Sequence, residues 1–167
     1  MQYDFIFHNP TKIYFGENAL DNLKEELKKY GKTVMLAYGK GAIKKIGLYD
    51  ELMKIFKEAN KTVIEFSGIM PNPTAAKVKE GIKLVRENNV DFILAVGGGS
   101  TMDCTKAVSM SSANNVDFWE HFYMNYNIPE KKIPFGTIVT MVGTGSEMNG
   151  GSVITNEDVK IKTGVVY

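Results

Sequence analysis

One cysteine, two histidines and a net charge of only +1 are the scarcities of this 167-residue sequence. The lone Cys104 excludes an intramolecular disulfide framework and fits a reducing compartment. His8 and His121 lie far apart, with no Cys or carboxylate at ligand spacing, which argues against a complete metal site within the chain. The 20 basic and 19 acidic residues are mixed along the sequence, so nothing marks nucleic acid or an acidic membrane as a partner. No apolar run approaches the ~18 residues of a spanning helix. The opening, MQYDFIFHNP, has neither the cationic nor the apolar region of a secretory leader. A cytoplasmic protein is the expectation.

What is present fits one soluble globular domain: 44% apolar residues, 23% charged, and enough length for a substantial core. Apolar spacing predicts a β-hairpin or pair of short strands over Tyr3–Phe15, turning at His-Asn-Pro-Thr. Leu20, Leu23 and Leu27 then share a helical face. Strands are expected at TVMLAY (33–38), TVIEF (62–66), DFILAV (91–96) and IPFGTIVTM (133–141), with helices between them. Thr74 is a natural N-cap for a helix facing inward through Val78, Ile82 and Val85. A helix is expected over 101–113, and GSVITNEDVKIKTGVVY reads as a hairpin turning at Asn156-Glu157-Asp158. Strands alternating with helices predict an α/β fold: a Rossmann-like parallel sheet flanked by helices, with the N-terminal hairpin added. The sequence stops at KTGVVY, on a β-like run without a closing helix, and reads as the first part of a longer protein.

The stretch DFILAVGGGSTMDCTKA sends an apolar strand into three consecutive glycines and then a helix. In an open parallel sheet, ligands lie beyond the carboxyl ends of the strands. There Gly97, Gly98, Gly99 and Ser100 offer bare N–H groups and a helix N-terminus, a cradle for a diphosphate. A tight turn without a ligand is the plainer alternative. The pattern is neither G-x-G-x-x-G nor a P-loop, which disfavours a nucleotide triphosphatase. Asp103, placed in the first helical turn, either complements the helix dipole or serves a cofactor. Cys104 reads as a packed small residue, and FWEHF (118–122) as a packed amphipathic patch.

A second glycine-rich edge, TMVGTGSE (140–147), brings hydroxyls from Thr140 and Thr144 and reads as the other wall of one cleft. A third, Gly39-Lys40-Gly41, follows TVMLAY. A dinucleotide fold that selects NAD places an acidic residue there for the ribose 2′-OH. None is present, and Lys40, Lys44 and Lys45 are near, so NADP is favoured over NAD. Lys160 and Lys162 fall on one strand face by the period of two, either as exposed edge lysines or as phosphate donors.

With these motifs in order, the chain resembles the N-terminal domain of the iron-containing (group III) alcohol dehydrogenase family, in particular its NADP(H)-dependent butanol dehydrogenase and aldehyde reductase branch. FHNPTKIYFGENAL, YGKGAIKKIGLYD, GIMPNPT, ILAVGGGSTMDCTKA, TMVGTGSEMNGGSVIT and KIKTGVVY carry that resemblance across residues 1–167. It implies hydride transfer between primary alcohols and aldehydes and a nicotinamide cofactor, with a divalent metal, usually iron, polarising the substrate oxygen. It implies cofactor contacts from Gly39, Lys40, Asn72, Gly97, Gly98, Gly99, Ser100, Asp103, Thr140, Thr144, Lys160 and Lys162. It also implies a homodimer paired through the opening hairpin. The family holds its metal with one aspartate and three histidines in a following helical domain. Two histidines outside any matching motif cannot supply that set, so the chain alone is expected to bind nucleotide without completing catalysis. A non-catalytic nucleotide-binding module and a glycerol dehydrogenase-like fragment are the alternatives. The T-G-S-E motif and the opening hairpin count against the second.

Overall fold

The two inner strands of the central sheet are apolar nearly throughout, as strands covered on both faces must be. The computed structural model describes residues 4–6 and 8–166. Its centre is a parallel sheet ordered β2-β1-β3-β4. The strands are β1 (Thr33–Tyr38), β2 (Thr62–Phe66), β3 (Phe92–Gly97) and β4 (Phe135–Val139). Inner strands β1 and β3 are buried almost end to end, and Tyr38 lies beside Val96 in their register.

Alternate side chains divide the core into two layers. Val34, Leu36, Tyr38, Leu94 and Val96 pack on α1 (Leu23–Leu27) and α3 (Leu48–Glu58), through Leu27, Leu52 and Phe56. Met35, Ala37 and Ile93 pack on α4 (Ala75–Glu87) and α5 (Gly99–Ser112), through Val78, Val85, Cys104 and Val108. A short α2 (Ala42–Lys45) precedes α3. The expected Thr74 cap is present: its hydroxyl accepts the Lys77 N–H at 3.2 Å.

The closing hairpin, β5 (Ser152–Asn156) and β6 (Ile161–Val165), is antiparallel and separate from the main sheet. It buries Ile154 and Val165 in the α4–α5 layer, so α5 is covered on both sides. That explains a helix with ten buried residues among fourteen. FWEHF is core as expected: Phe118, Trp119 and Phe122 are buried around a π-helical segment, Trp119–Met124. Burial also pushes the Cys104 thiol up to about 12, so it is a packing group and not a nucleophile.

Three expectations need correction. The opening hairpin is not formed among the described residues, of which 4–6 and 8–15 hold no strand; Tyr3 and Phe7 lie outside them. The alternation FIF/KIYF supplies strand propensity, but a two-stranded ribbon with no third element to cover it is marginal. Asn9 instead takes the Thr11 N–H and donates to the Met148 carbonyl. Helix α5 begins at Gly99, not 101, so Asp103 falls in the second turn and not the first. Lys160 is not on the strand face with Lys162 but ends the preceding turn, at φ +57°.

Gly81 of α4 lets that helix approach α5. A Cβ there would lie 2.5 Å from Val108 Cγ2 and 2.9 Å from Phe66 Cζ. Alanine favours an isolated helix over glycine by about 1 kcal/mol. Here the sign reverses: Gly81→Ala is expected to cost ~1–3 kcal/mol by overpacking, measured by urea unfolding, with Val108→Ala restoring part of the loss.

Candidate functional site

Chain connectivity creates the site before any side chain does. From β1 the chain moves outward to β2 over the α3 face, then returns past β1 to β3 over the α4 face. Right-handed crossovers in opposite directions put their helices on opposite faces. Between the carboxyl ends of β1 and β3, therefore, neither helical layer closes over the sheet, which leaves a crevice. Because Tyr38 and Val96 are neighbours, Gly39 and Gly97 leave the sheet side by side at that point.

The first wall is the β3–α5 junction. Gly98 is the N-cap of α5 and has no side chain to cap with. The amides of Thr101 and Met102 both turn back to the Gly98 carbonyl, at 3.0 and 3.2 Å. Those of Gly99 and Ser100 find no acceptor among the described residues. Two donors and the positive end of a fourteen-residue helix thus face the crevice.

The glycines here are not equivalent. A Cβ on Gly97 would collide with Thr101, and one on Gly99 would lie 2.7 Å from Thr144 Oγ1. Packing alone demands both. Gly98 is different: its φ of −100° is extended backbone, and a Cβ would meet only ordinary contacts, the nearest 3.5 Å away at Met141 Cβ. The fold leaves room for a side chain that the sequence does not put there.

The second wall is the loop after β4. The Thr140 N–H bonds the Gly97 carbonyl at 3.0 Å, and Thr144 lies over Gly99, so both threonines pack against the glycine junction. Asp103 reaches this wall rather than open crevice. It accepts the Ser146 hydroxyl at 2.9 Å on Oδ1 and the Val153 N–H at 3.2 Å on Oδ2. Across the hairpin, Lys162 donates to Asn72 Oδ1 at 2.7 Å, which brings together two residues ninety positions apart. Lys160 stays exposed in its turn and joins nothing among the described residues.

Beside Gly39 lies a groove of ≈ 320 Å³ lined by Tyr38, Gly39, Lys40, Gly41, Lys44, Ser67 and Gly68. The Gly68 N–H to Gly39 carbonyl bond, 3.0 Å, fixes its floor. Lys40 is exposed there, with no ion pair among the described residues.

Two features escaped the sequence reading. Lys106, 6% exposed, donates to Ser146 Oγ at 2.9 Å, Asn149 Oδ1 at 3.1 Å and the Gly151 carbonyl at 2.8 Å. Burial lowers its pKa, while the nearby Asp103 and Glu147 charges oppose that shift. The Asp103-x-x-Lys106 spacing, one helical turn, was the available signal. The second feature is Glu65 on β2, which accepts the hydroxyls of Tyr38 and Tyr49. Those two bonds, with burial opposing, hold its carboxyl below the usual range. Nothing in the sequence pairs these residues; parallel strand register does.

Residues 10–167 match the family model described as iron-containing alcohol dehydrogenase. A probable NADH-dependent butanol dehydrogenase 1 of Bacillus subtilis is 47% identical over 96% of this chain and 41% of its own length. The NADPH-dependent aldehyde reductase YqhD of Escherichia coli is 38% identical over 92% of this chain and 40% of its own. The crystal structure of an NADH-dependent butanol dehydrogenase A from Thermotoga maritima superimposes with a TM-score of 0.91 at 40% identity, covering 98% of this chain and 41% of that one. The chain therefore spans about two fifths of the length of these relatives.

Lys106 ties the second wall to α5. Lys106→Met strands three acceptors and is expected to lower the unfolding free energy by ~1–3 kcal/mol. Hydrogen exchange should show the matching loss of protection at residues 144–151.

Proposed function

The chain belongs to the iron-containing alcohol dehydrogenase family, and on that premise we propose that it is the coenzyme-binding part of an enzyme interconverting primary alcohols and aldehydes by hydride transfer. The observation that carries this reading is Gly98. Its neighbours are glycine because the fold packs against them, whereas Gly98 has both the conformation and the space for a side chain. A ligand that must approach the backbone at the crevice accounts for the vacancy. The amides of Gly99 and Ser100 make that ligand an anion, and a dinucleotide's diphosphate fits the charge and the place.

Each residue then takes a role in coenzyme binding. Gly97, Gly98, Gly99 and Ser100 receive the diphosphate. Thr140 and Thr144 form the facing wall, and Asp103 holds that wall through Ser146. Gly39 and Lys40 receive the adenosine ribose end in the groove. The Asn72–Lys162 pair closes the hairpin over the coenzyme side, with Lys160 beside it. The relatives are named for NADH in some cases and NADPH in others, so the preference is argued from this chain alone. The groove carries Lys40 and Lys44 and no carboxylate among its lining residues, which favours NADP. Exposed Phe5, Ile6 and Phe15 in the opening segment fit pairing in a homodimer. No helix among the described residues is long and apolar enough to cross a membrane, in keeping with a cytoplasmic enzyme.

The family's iron polarises the substrate oxygen when bound. Among the described residues no group of three or more His, Cys, Asp or Glu could hold it. No residue of this chain is therefore assigned to the metal, and no step is derived through it.

Gly98→Ala should unfold at the same urea midpoint as the parent, within ~0.5 kcal/mol, yet bind NADPH at least ~10-fold more weakly by calorimetry. Equal affinity would remove the diphosphate from this wall. In the parent chain NADPH is expected to bind more tightly than NADH; the reverse order would overturn the NADP assignment.

A further inference from the structure

The groove beside Gly39 is rimmed by a cluster of which coenzyme binding as described uses only Lys44. Glu65 projects from β2 next to β1. Tyr38, the last residue of β1, donates its hydroxyl to Oε2, and Tyr49 of α3 donates to Oε1. The two tyrosine rings meet edge to face, with centroids 6.1 Å apart. Lys44, from α2, lines the groove with its Nζ 3.6 Å from Glu65 Oε2 and 4.3 Å above the Tyr49 ring. Elements on both flanks of the groove therefore converge on one carboxylate.

A carboxylate near the end of β1 could act in two opposite ways. Free, it would accept the 2′-hydroxyl of an adenosine ribose and repel a 2′-phosphate. Engaged, it would hold a cation at the same place. Here each oxygen already accepts a phenolic hydroxyl, and the nearest cation is drawn over an aromatic face, which favours a fixed ammonium. Lys40 on the groove's other side takes no partner among the described residues.

We propose that Glu65 sets coenzyme specificity as a positioning residue: Tyr38 and Tyr49 withhold its oxygens from the ribose, and it holds Lys44 at the groove, so that a 2′-phosphate is selected over a 2′-hydroxyl. This rests on the coenzyme reading above, and goes beyond it by naming the residues that discriminate. Neither Tyr49 nor Glu65 lines the groove, so their influence runs through Lys44 and through the lone pairs they occupy.

Calorimetry with two probes, 2′,5′-ADP and 5′-AMP, tests it on the whole chain, since they differ only at the ribose 2′ position. The parent should prefer 2′,5′-ADP. Tyr49→Phe frees Glu65 Oε1, and should shrink the ratio of affinities by ~3–10-fold, mainly through tighter 5′-AMP binding. Lys44→Met should bring the ratio toward one, while Lys44→Arg, which keeps the charge, should retain most of it. Thermal midpoints confirm that each variant is folded, and a ratio is insensitive to a general loss of stability. Ratios unchanged in Tyr49→Phe and Lys44→Met, in folded protein, overturn the proposal. A parent chain that binds both probes equally overturns it as well, but leaves the diphosphate site standing. A parent that binds neither probe nor NADPH overturns the coenzyme reading itself.

Discussion

Hydrogen-bond donors that the chain itself does not satisfy, at the start of α5, are the constraint around which this structure is organised. A helix ordinarily meets its first N–H groups with a capping side chain. The fold shows that solution at Thr74, where α4 begins, and withholds it at Gly98. The same chain thus makes one helix with a side-chain cap and one without. Leaving donors bare has a cost, repaid only when something outside the chain accepts from them.

Holding bare donors in place requires a helix that cannot shift, and α5 is built accordingly. It is gripped by the sheet on one side and by the β5–β6 hairpin on the other. The polar groups it buries are used for attachment. Ser152 accepts or donates with the Tyr123 hydroxyl and bonds the Asp103 carbonyl, while Asp103 and Lys106 together fasten the loop 144–151. Among the described residues no carboxylate lies within ion-pair distance of Lys106, and three neutral oxygens receive its charge instead. A buried cation satisfied this way fixes geometry and adds less stability than its three bonds alone would, since its desolvation offsets much of what they contribute.

Membership of the iron-containing alcohol dehydrogenase family gives this arrangement its context. The two glycine walls and the groove by Gly39 are neighbouring exits from the carboxyl edge of the sheet, those of β3, β4 and β1. Among the described residues no group of three or more His, Cys, Asp or Glu could hold a metal ion.

Much of this was legible in the residues. Four apolar runs gave the strands, Thr74 the start of α4, and the turn at Asn156 the closing hairpin, because local propensity and burial agree there. GGGS marked the β3–α5 junction, where Gly97 ends the strand, Gly98 caps the helix and Gly99 begins it. The opening segment misled, since alternation signals a strand but cannot supply its partner. Lys160 misled because a period of two holds only within a strand, and the turn extends two residues further, through Lys160. What sequence could not hold was contact across distance. That Lys162 meets Asn72, that Ser146 stands between Asp103 and Lys106, and that Glu65 receives two tyrosines follow from strand order and register. Local energetics chose the elements, and only the packing of the sheet with its two helical layers determined which side chains would meet.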